Sequence, residues 1–304
     1  MEKNESSMTS LVSAFARAYH SKYDTPKIFD DIVANDLISQ EEFSAISRNM
    51  IDGIHFFNKD ISQKWQENPD EILKWIVQVQ LSPTPLARSA YCEKTLLHEH
   101  KLGAEQYVIL GTGLDTFAFR YPHLESSLEI YEVDHPATQQ FKKKRLERAR
   151  FHVPGNIHYI PMDFTNKELH DHLGNQGFEN KKTFFSLLGV SYYLTKEENE
   201  ILILRLFSNV PPGSSIVFDY ADEKLFKEKG MANRVENMVK LASASGEPMK
   251  SSFPYMEMEK MLERAGLLIY EHLSPSMIND LFFTNRTDYL TAFETIHFIH
   301  AVKK

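Results

Sequence analysis

The residues best placed to do chemistry lie in the stretch VILGTGLDTFAFR, residues 108–120. An apolar, strand-forming run ends there in Gly111-Thr112-Gly113, and Asp115 follows. Glycines at a strand-to-helix turn permit backbone angles, and a close approach of ligand to backbone, that a Cβ would block. A single G-x-G also occurs in many purely structural turns. The following strand-like stretches add to it. LEIYEVD ends in Asp134, and IHYIPMDF carries Asp163 followed by Phe164. A carboxylate at the end of the second strand can accept hydrogen bonds from both hydroxyls of a ribose. At the third, Asp163 can accept from an adenine amino group while Phe164 packs on the ring. Glycine, acid and acid at three successive strand ends describe an adenosine site.

NAD sites share the first two features. Here, however, Thr116 stands where the third glycine of G-x-G-x-x-G falls. A pyrophosphate needs the close helix approach that this glycine allows, whereas a methionine tail does not. The pattern favours S-adenosylmethionine, and an NAD-dependent oxidoreductase is the distant alternative.

Positioning these strand ends requires an alternating fold. From Gln106 onward, strand patterns (QYVILG, LEIYEVD, IHYIPMDF, TFFSLLGV, SSIVFDYA, LLIYEHL, TIHFIHAVK) mostly alternate with helical ones. That order predicts an α/β, doubly wound parallel sheet. No clear amphipathic crossover separates the last two strands, which leaves room for an antiparallel final strand. Residues 1–100 read as an N-terminal helical cap, with Leu11, Phe15 and Tyr19 on one helix face and DEILKWIVQVQL forming another helix stopped at Ser82-Pro83-Thr84-Pro85. A third helix spans about Ala87 to His100. Residues 101–304 form the core, and 222–250 form a polar, helical insertion placed as a lid over the carboxyl ends of the strands.

Composition sets outer bounds. The 304 residues carry a formal charge of -8 and a single cysteine, Cys92. That charge argues against a broad nucleic-acid surface, which needs a positive field. One cysteine forms no intrachain disulfide and fits a reducing compartment. The polar N-terminus lacks a signal-peptide core, and no window approaches the roughly 20 apolar residues of a membrane span. A cytoplasmic protein, acting on neither membrane nor nucleic acid, is expected. The basic run FKKKRLERAR reads as a solvated helix face with Phe141 and Leu146 inward. His98/His100 and His170/His172 are spaced two apart, which points them to different sides of a helix, so no metal is assigned.

With those motifs in hand, the chain resembles the leucine carboxyl methyltransferase family, closest to its bacterial branch of polyketide-type O-methyltransferases. Gly111, Gly113, Asp115, Thr116 and Arg120 match the family's G-x-G-x-D-T-x-x-x-R turn. Glu132, Val133, Asp134 and Pro136 match its E-V-D-x-P, and GEPMKSSFPYMEMEKMLERAGL adds a third similar segment. The resemblance implies a class I methyltransferase (Rossmann-like) fold of seven strands with an antiparallel last strand, and S-adenosylmethionine as cofactor. It implies that Arg88, in PLARSAYCEKTLL, holds the cofactor's carboxylate, with Arg17 or Lys22 as a second basic contact. After the fourth strand the family reads A-E-G-L-L-x-Y-L. Here the segment is LLGVSYYL, so Leu188 replaces the glutamate while Gly189, Tyr193 and Leu194 still match. A different acceptor, or reduced activity, would follow.

Methyl transfer from a sulfonium asks the protein mainly for positioning and a water-poor site. The fourth-strand segment offers Ser191, Tyr192 and Tyr193 but no histidine or acid, so an acceptor that is already anionic, such as a carboxylate, is mildly favoured over a phenol. Tyr192 and Tyr193 are the catalytic candidates. Tyr220, Phe253 and Tyr255 are candidate lid aromatics whose plainer role is core packing, and Arg286 could pair with an acidic substrate. The expected function is O-methylation of a small molecule. The alternatives are methylation of a protein's C-terminal carboxyl group and non-catalytic binding of S-adenosylmethionine.

Overall fold

Strands buried on both faces of a sheet carry unbroken apolar runs, and QYVIL and TFFSL do so. In the computed structural model, which describes residues 8–163 and 169–304, they form β1 (Gln106–Leu110) and β4 (Thr183–Leu187), buried throughout. They join β2 (Glu129–Asp134), β3 (Ile157–Pro161), β5 (Ser215–Ala221), β6 (Leu267–Leu273) and β7 (Ile296–Lys303) in one seven-stranded sheet, ordered β3-β2-β1-β4-β5-β7-β6. The first five strands are parallel. β7 lies between β5 and β6, antiparallel to both. A short helix, Pro275–Phe282, does connect β6 to β7. It contributes Ile278 to the core without converting the pair to a parallel one. Strand order reverses between β1 and β4, and the crevice at their carboxyl ends is where such sheets bind ligands.

Side chains alternate across the sheet into two apolar cores. Tyr107, Ile109, Phe184 and Val217 enter one, with Leu86 and Tyr91 of the helix Pro83–Lys101. Val108, Leu110, Phe185 and Phe218 enter the other, with Leu202, Leu206 and Phe207 of the helix Lys196–Ser208.

The N-terminal helices pack over one end of this sheet. Met8–Tyr23 buries Phe15 and Tyr19. The helix Pro69–Ile76 continues into a π-helical turn, Val77–Leu81. The next helix begins at Pro83, earlier than Ala87, because a proline at the first helical position gives up only an N–H that has no partner within the helix. The two prolines therefore open a helix as well as closing one. Buried Gln80 donates to the carbonyl of Arg234 at 2.9 Å, tying the helix Arg234–Ala244 of the insertion to this part of the chain. Among the described residues, no helix is long and apolar enough to cross a membrane.

The basic run after β2 departs from expectation at two residues. In the helix Pro136–Arg148, Leu146 is buried and Phe141 partly so, but Lys142 and Arg145 are buried with them. Their charges meet Glu132 and Glu42 respectively, while Lys143, Lys144, Glu147 and Arg148 form the solvated face that was expected. Arg145 clamps Glu42 at 3.0 and 2.6 Å, and Glu42 also closes a capping box with Ser39 at the start of the helix Gln40–Asp52. Burial works against the ionised Glu42, but hydrogen bonds from Arg145 and the Ser39 N–H prevail. With the charges of Arg145 and Arg148 they bring its carboxyl from 4.5 to about 2. A carboxyl whose pKa is lowered on folding contributes stability above its unfolded value and loses it as pH falls towards the folded one. Glu42→Gln is therefore expected to flatten the loss of thermal stability on acidification below about pH 4.5. Equal slopes for both proteins in thermal melts across that window would overturn the assignment.

Candidate functional site

A cavity of about 620 Å³ opens at the carboxyl ends of β1 and β4, within the range of small-molecule sites. Its floor is the glycine turn. Gly111 and Gly113 have φ of 71° and 54°, a region that favours glycine, and a Cβ on Gly113 would come within 3.0 Å of the Ser10 Cβ. Thr112 is buried, its hydroxyl donating to the Ile109 carbonyl at 3.1 Å.

Asp134 stands beside this turn. One of its oxygens accepts the Gly113 N–H at 2.5 Å and the other the His135 N–H at 2.6 Å. Burial pushes its carboxyl above the ordinary range, and those two bonds oppose the shift. Asp163 lines the same cavity from beyond β3. Phe164 lies outside the described residues.

Arg88 and Arg17 both reach the cavity wall. Nη1 of Arg88 donates to Asp219 at 3.0 Å and to the Tyr192 hydroxyl at 3.1 Å. Arg17 donates to Asp31 at 2.8 Å and to the Leu114 carbonyl at 2.7 Å. Lys22 does not join them: its ammonium lies over the rings of Tyr23 and Phe43.

The exit from β4 supplies the far wall. Leu188 and Tyr193 line the cavity, whereas Tyr192 sits behind it, buried, against Arg88 and Asp219. Burial, then the charge of Glu247, pushes the Tyr193 phenol up to about 12, and burial, then the charge of Asp219, pushes that of Tyr192 well above its ordinary range. Both phenols therefore hold their protons at neutral pH. The roof is shared: Thr9, from the first helix, donates to Glu247 of the insertion at 2.5 Å. Tyr220, Phe253, Tyr255 and Arg286 do not line the cavity. Tyr220 stacks on His297, Phe253 is core, and Arg286 is spent on Asp288 and the Pro26 carbonyl.

The motif residues divide by task. Thr116 donates to Asp31 at 2.7 Å, and Arg120 forks onto Glu93, so these two fasten the N-terminal helices to the turn. Glu247 and Asp219 are among the residues near the cavity that escaped sequence reasoning. Glu247 reaches it only because the insertion folds back. Asp219 carried a signal, since an acid inside the apolar strand SSIVFDYA must find a partner when buried.

The strand order, the antiparallel β7 and the cavity beyond β1 and β4 define a class I methyltransferase. The model of the leucine carboxyl methyltransferase family matches residues 10–207, and the chain belongs to that family. The protein is an S-adenosylmethionine-dependent methyltransferase. A Bacillus subtilis (strain 168) protein, provisionally named S-adenosyl-L-methionine-dependent methyltransferase YktD, is 67% identical over the whole of both chains. A Mycobacterium marinum protein with the same provisional class name is 26% identical, over 56% of this chain and 54% of its own. Among solved structures, a DUF574-family protein from Streptomyces avermitilis has a TM-score of 0.55 at 13% identity, covering 96% of this chain and 97% of its own; that likeness is one of fold.

Proposed function

We propose that the protein methylates an oxygen atom of a small molecule held in this cavity. The roof carries the reading: the first helix and the insertion meet through Thr9 and Glu247 above a cavity that runs from Asp134 and Asp163 past the glycine turn to Arg88, Leu188 and Tyr193. Such a cover suits a small acceptor better than the end of a folded protein, the rival reading. The residues suit the cofactor, since the cavity brings together the glycine turn, the carboxylates of Asp134 and Asp163, and the guanidinium of Arg88. In this reading Asp134 accepts from the ribose hydroxyls, Asp163 from the adenine amino group, and Gly111, Thr112 and Gly113 form the floor. Phe164 packs on the ring, and Arg88 holds the carboxylate through charge-assisted bonds.

S-adenosylmethionine supplies an electrophilic methyl group when bound. The chain's own residues align the acceptor oxygen with it and exclude water. A carboxylate acceptor needs no base; a phenol does, and the protonated Tyr192 and Tyr193 do not provide one. Tyr193 can instead donate a hydrogen bond to the acceptor. The carboxylate in the roof is Glu247.

Calorimetric titration with S-adenosylhomocysteine, with NAD as control, tests the cofactor end. Micromolar binding of the former alone is expected, followed by turnover in a screen that begins with carboxylic acids and phenols. No binding of either, or binding of NAD, would overturn the site. Binding without turnover on any small acceptor would favour a protein carboxyl terminus, or a binding role alone.

A further inference from the structure

We infer that Asp219 is the positioning residue of the carboxylate site, fixing Arg88 from behind so that the pair selects the zwitterionic amino-acid end of the cofactor. The inference rests on the reading of Arg88 given above. Asp219 lies in β5 with no exposed surface, and it is not part of the cavity wall. One oxygen takes Arg88 Nη1 at 3.0 Å and lies 3.5 Å from the Tyr192 hydroxyl. The other accepts the Gly189 N–H at 2.6 Å. One buried carboxylate thus joins the helix that carries Arg88, the turn after β4 and the tyrosine behind it.

Gly189 completes the clamp. Its φ is +72°, and a Cβ there would sit 2.5 Å from both terminal nitrogens of Arg88. The guanidinium therefore lies directly against the β4 turn, where Leu188 offers no charge. A long arginine side chain pays rotamer entropy whenever it binds, and holding it beforehand removes that cost. Charge adds a second effect. The Arg88–Asp219 pair sums to zero, as does a tail bearing one ammonium and one carboxylate, so seating that tail leaves no net charge buried.

The test compares two ligands that share the adenosine part. S-adenosylhomocysteine carries the amino-acid tail, and 5′-methylthioadenosine lacks it. In calorimetric titrations of the full chain, Asp219→Asn should weaken S-adenosylhomocysteine about 10–100-fold and leave 5′-methylthioadenosine within about twofold, the range expected for a charged hydrogen bond. Arg88→Met should show the same selectivity. Equal losses for both ligands in Asp219→Asn, or no loss for either, would overturn the inference. So would a selective loss in Arg88→Met that Asp219→Asn does not share. Equal losses in Arg88→Met would instead overturn the reading of Arg88 itself. If Asp219→Asn does not fold, Tyr192→Phe removes the other group that holds Nη1; a loss of about threefold confined to S-adenosylhomocysteine supports the clamp, and any other pattern counts against it.

Discussion

Replacing Lys142 with methionine is expected to cost about 3–5 kcal/mol of folding stability, the cost of breaking a buried ion pair from one side. Lys142 is fully buried and donates to both oxygens of Glu132, at 2.7 and 2.6 Å. Glu132 sits in the middle of β2, between Ile109 and Tyr159 on the neighbouring strands, where water cannot replace the ammonium. Burial already raises its carboxyl above the ordinary range, with Lys142 pulling it back. Without the lysine, Glu132 must bury a bare charge or take up a proton. Either route makes the single variant worse than Lys142→Met combined with Glu132→Leu, in which both partners become apolar. Urea unfolding of the two single variants and the double would read this as a large favourable coupling. A Lys142→Met protein within about 1 kcal/mol of the parent would show that the pair is not needed.

The second large effect is on ligand binding. Asp134→Ala should weaken S-adenosylhomocysteine by about 1.5–3 kcal/mol or more, because it releases the Gly113 N–H that Asp134 holds and, on the function proposed above, removes the charged acceptor of the ribose hydroxyls. Since burial raises the Asp134 carboxyl, the parent's affinity should fall on acidification at a pH above the usual aspartate range. Only the ionised form accepts from both hydroxyls, so the loss comes as pH drops through that raised value. The alanine variant should lack this step. Calorimetry at two pH values decides it, and unchanged affinity in Asp134→Ala would remove Asp134 from the site.

Much of this was legible in the chain because strand ends are local. The residues around Gly111, Asp134 and Asp163 could be read where they stand, since a strand followed by a turn fixes which atoms face the crevice. The sheet's seven strands were visible for the same reason. What escaped depended on pairs far apart in sequence. Lys142 and Arg145 looked like a solvated face because nothing near them shows that Glu132 and Glu42 lie against that helix. Arg286 looked available because nothing in its own segment shows that the Pro26 carbonyl, 260 residues earlier, takes one of its nitrogens. Asp219 could not be joined to Arg88 from the sequence, because 131 residues separate them.

The position of β7 bears on how the molecule is made. It comes after all the other strands in the chain, yet it lies between β5 and β6 rather than at an edge. During synthesis, β1 to β5 can pair as they emerge, but β5 presents an open row of backbone donors and acceptors until residues 296–303 arrive. β6 has no place in the sheet at all before then, because β7 is its sole link to it. The nascent chain thus passes through a stage with the β5 edge of the sheet unpaired and β6 undocked, the kind of species that chaperones bind.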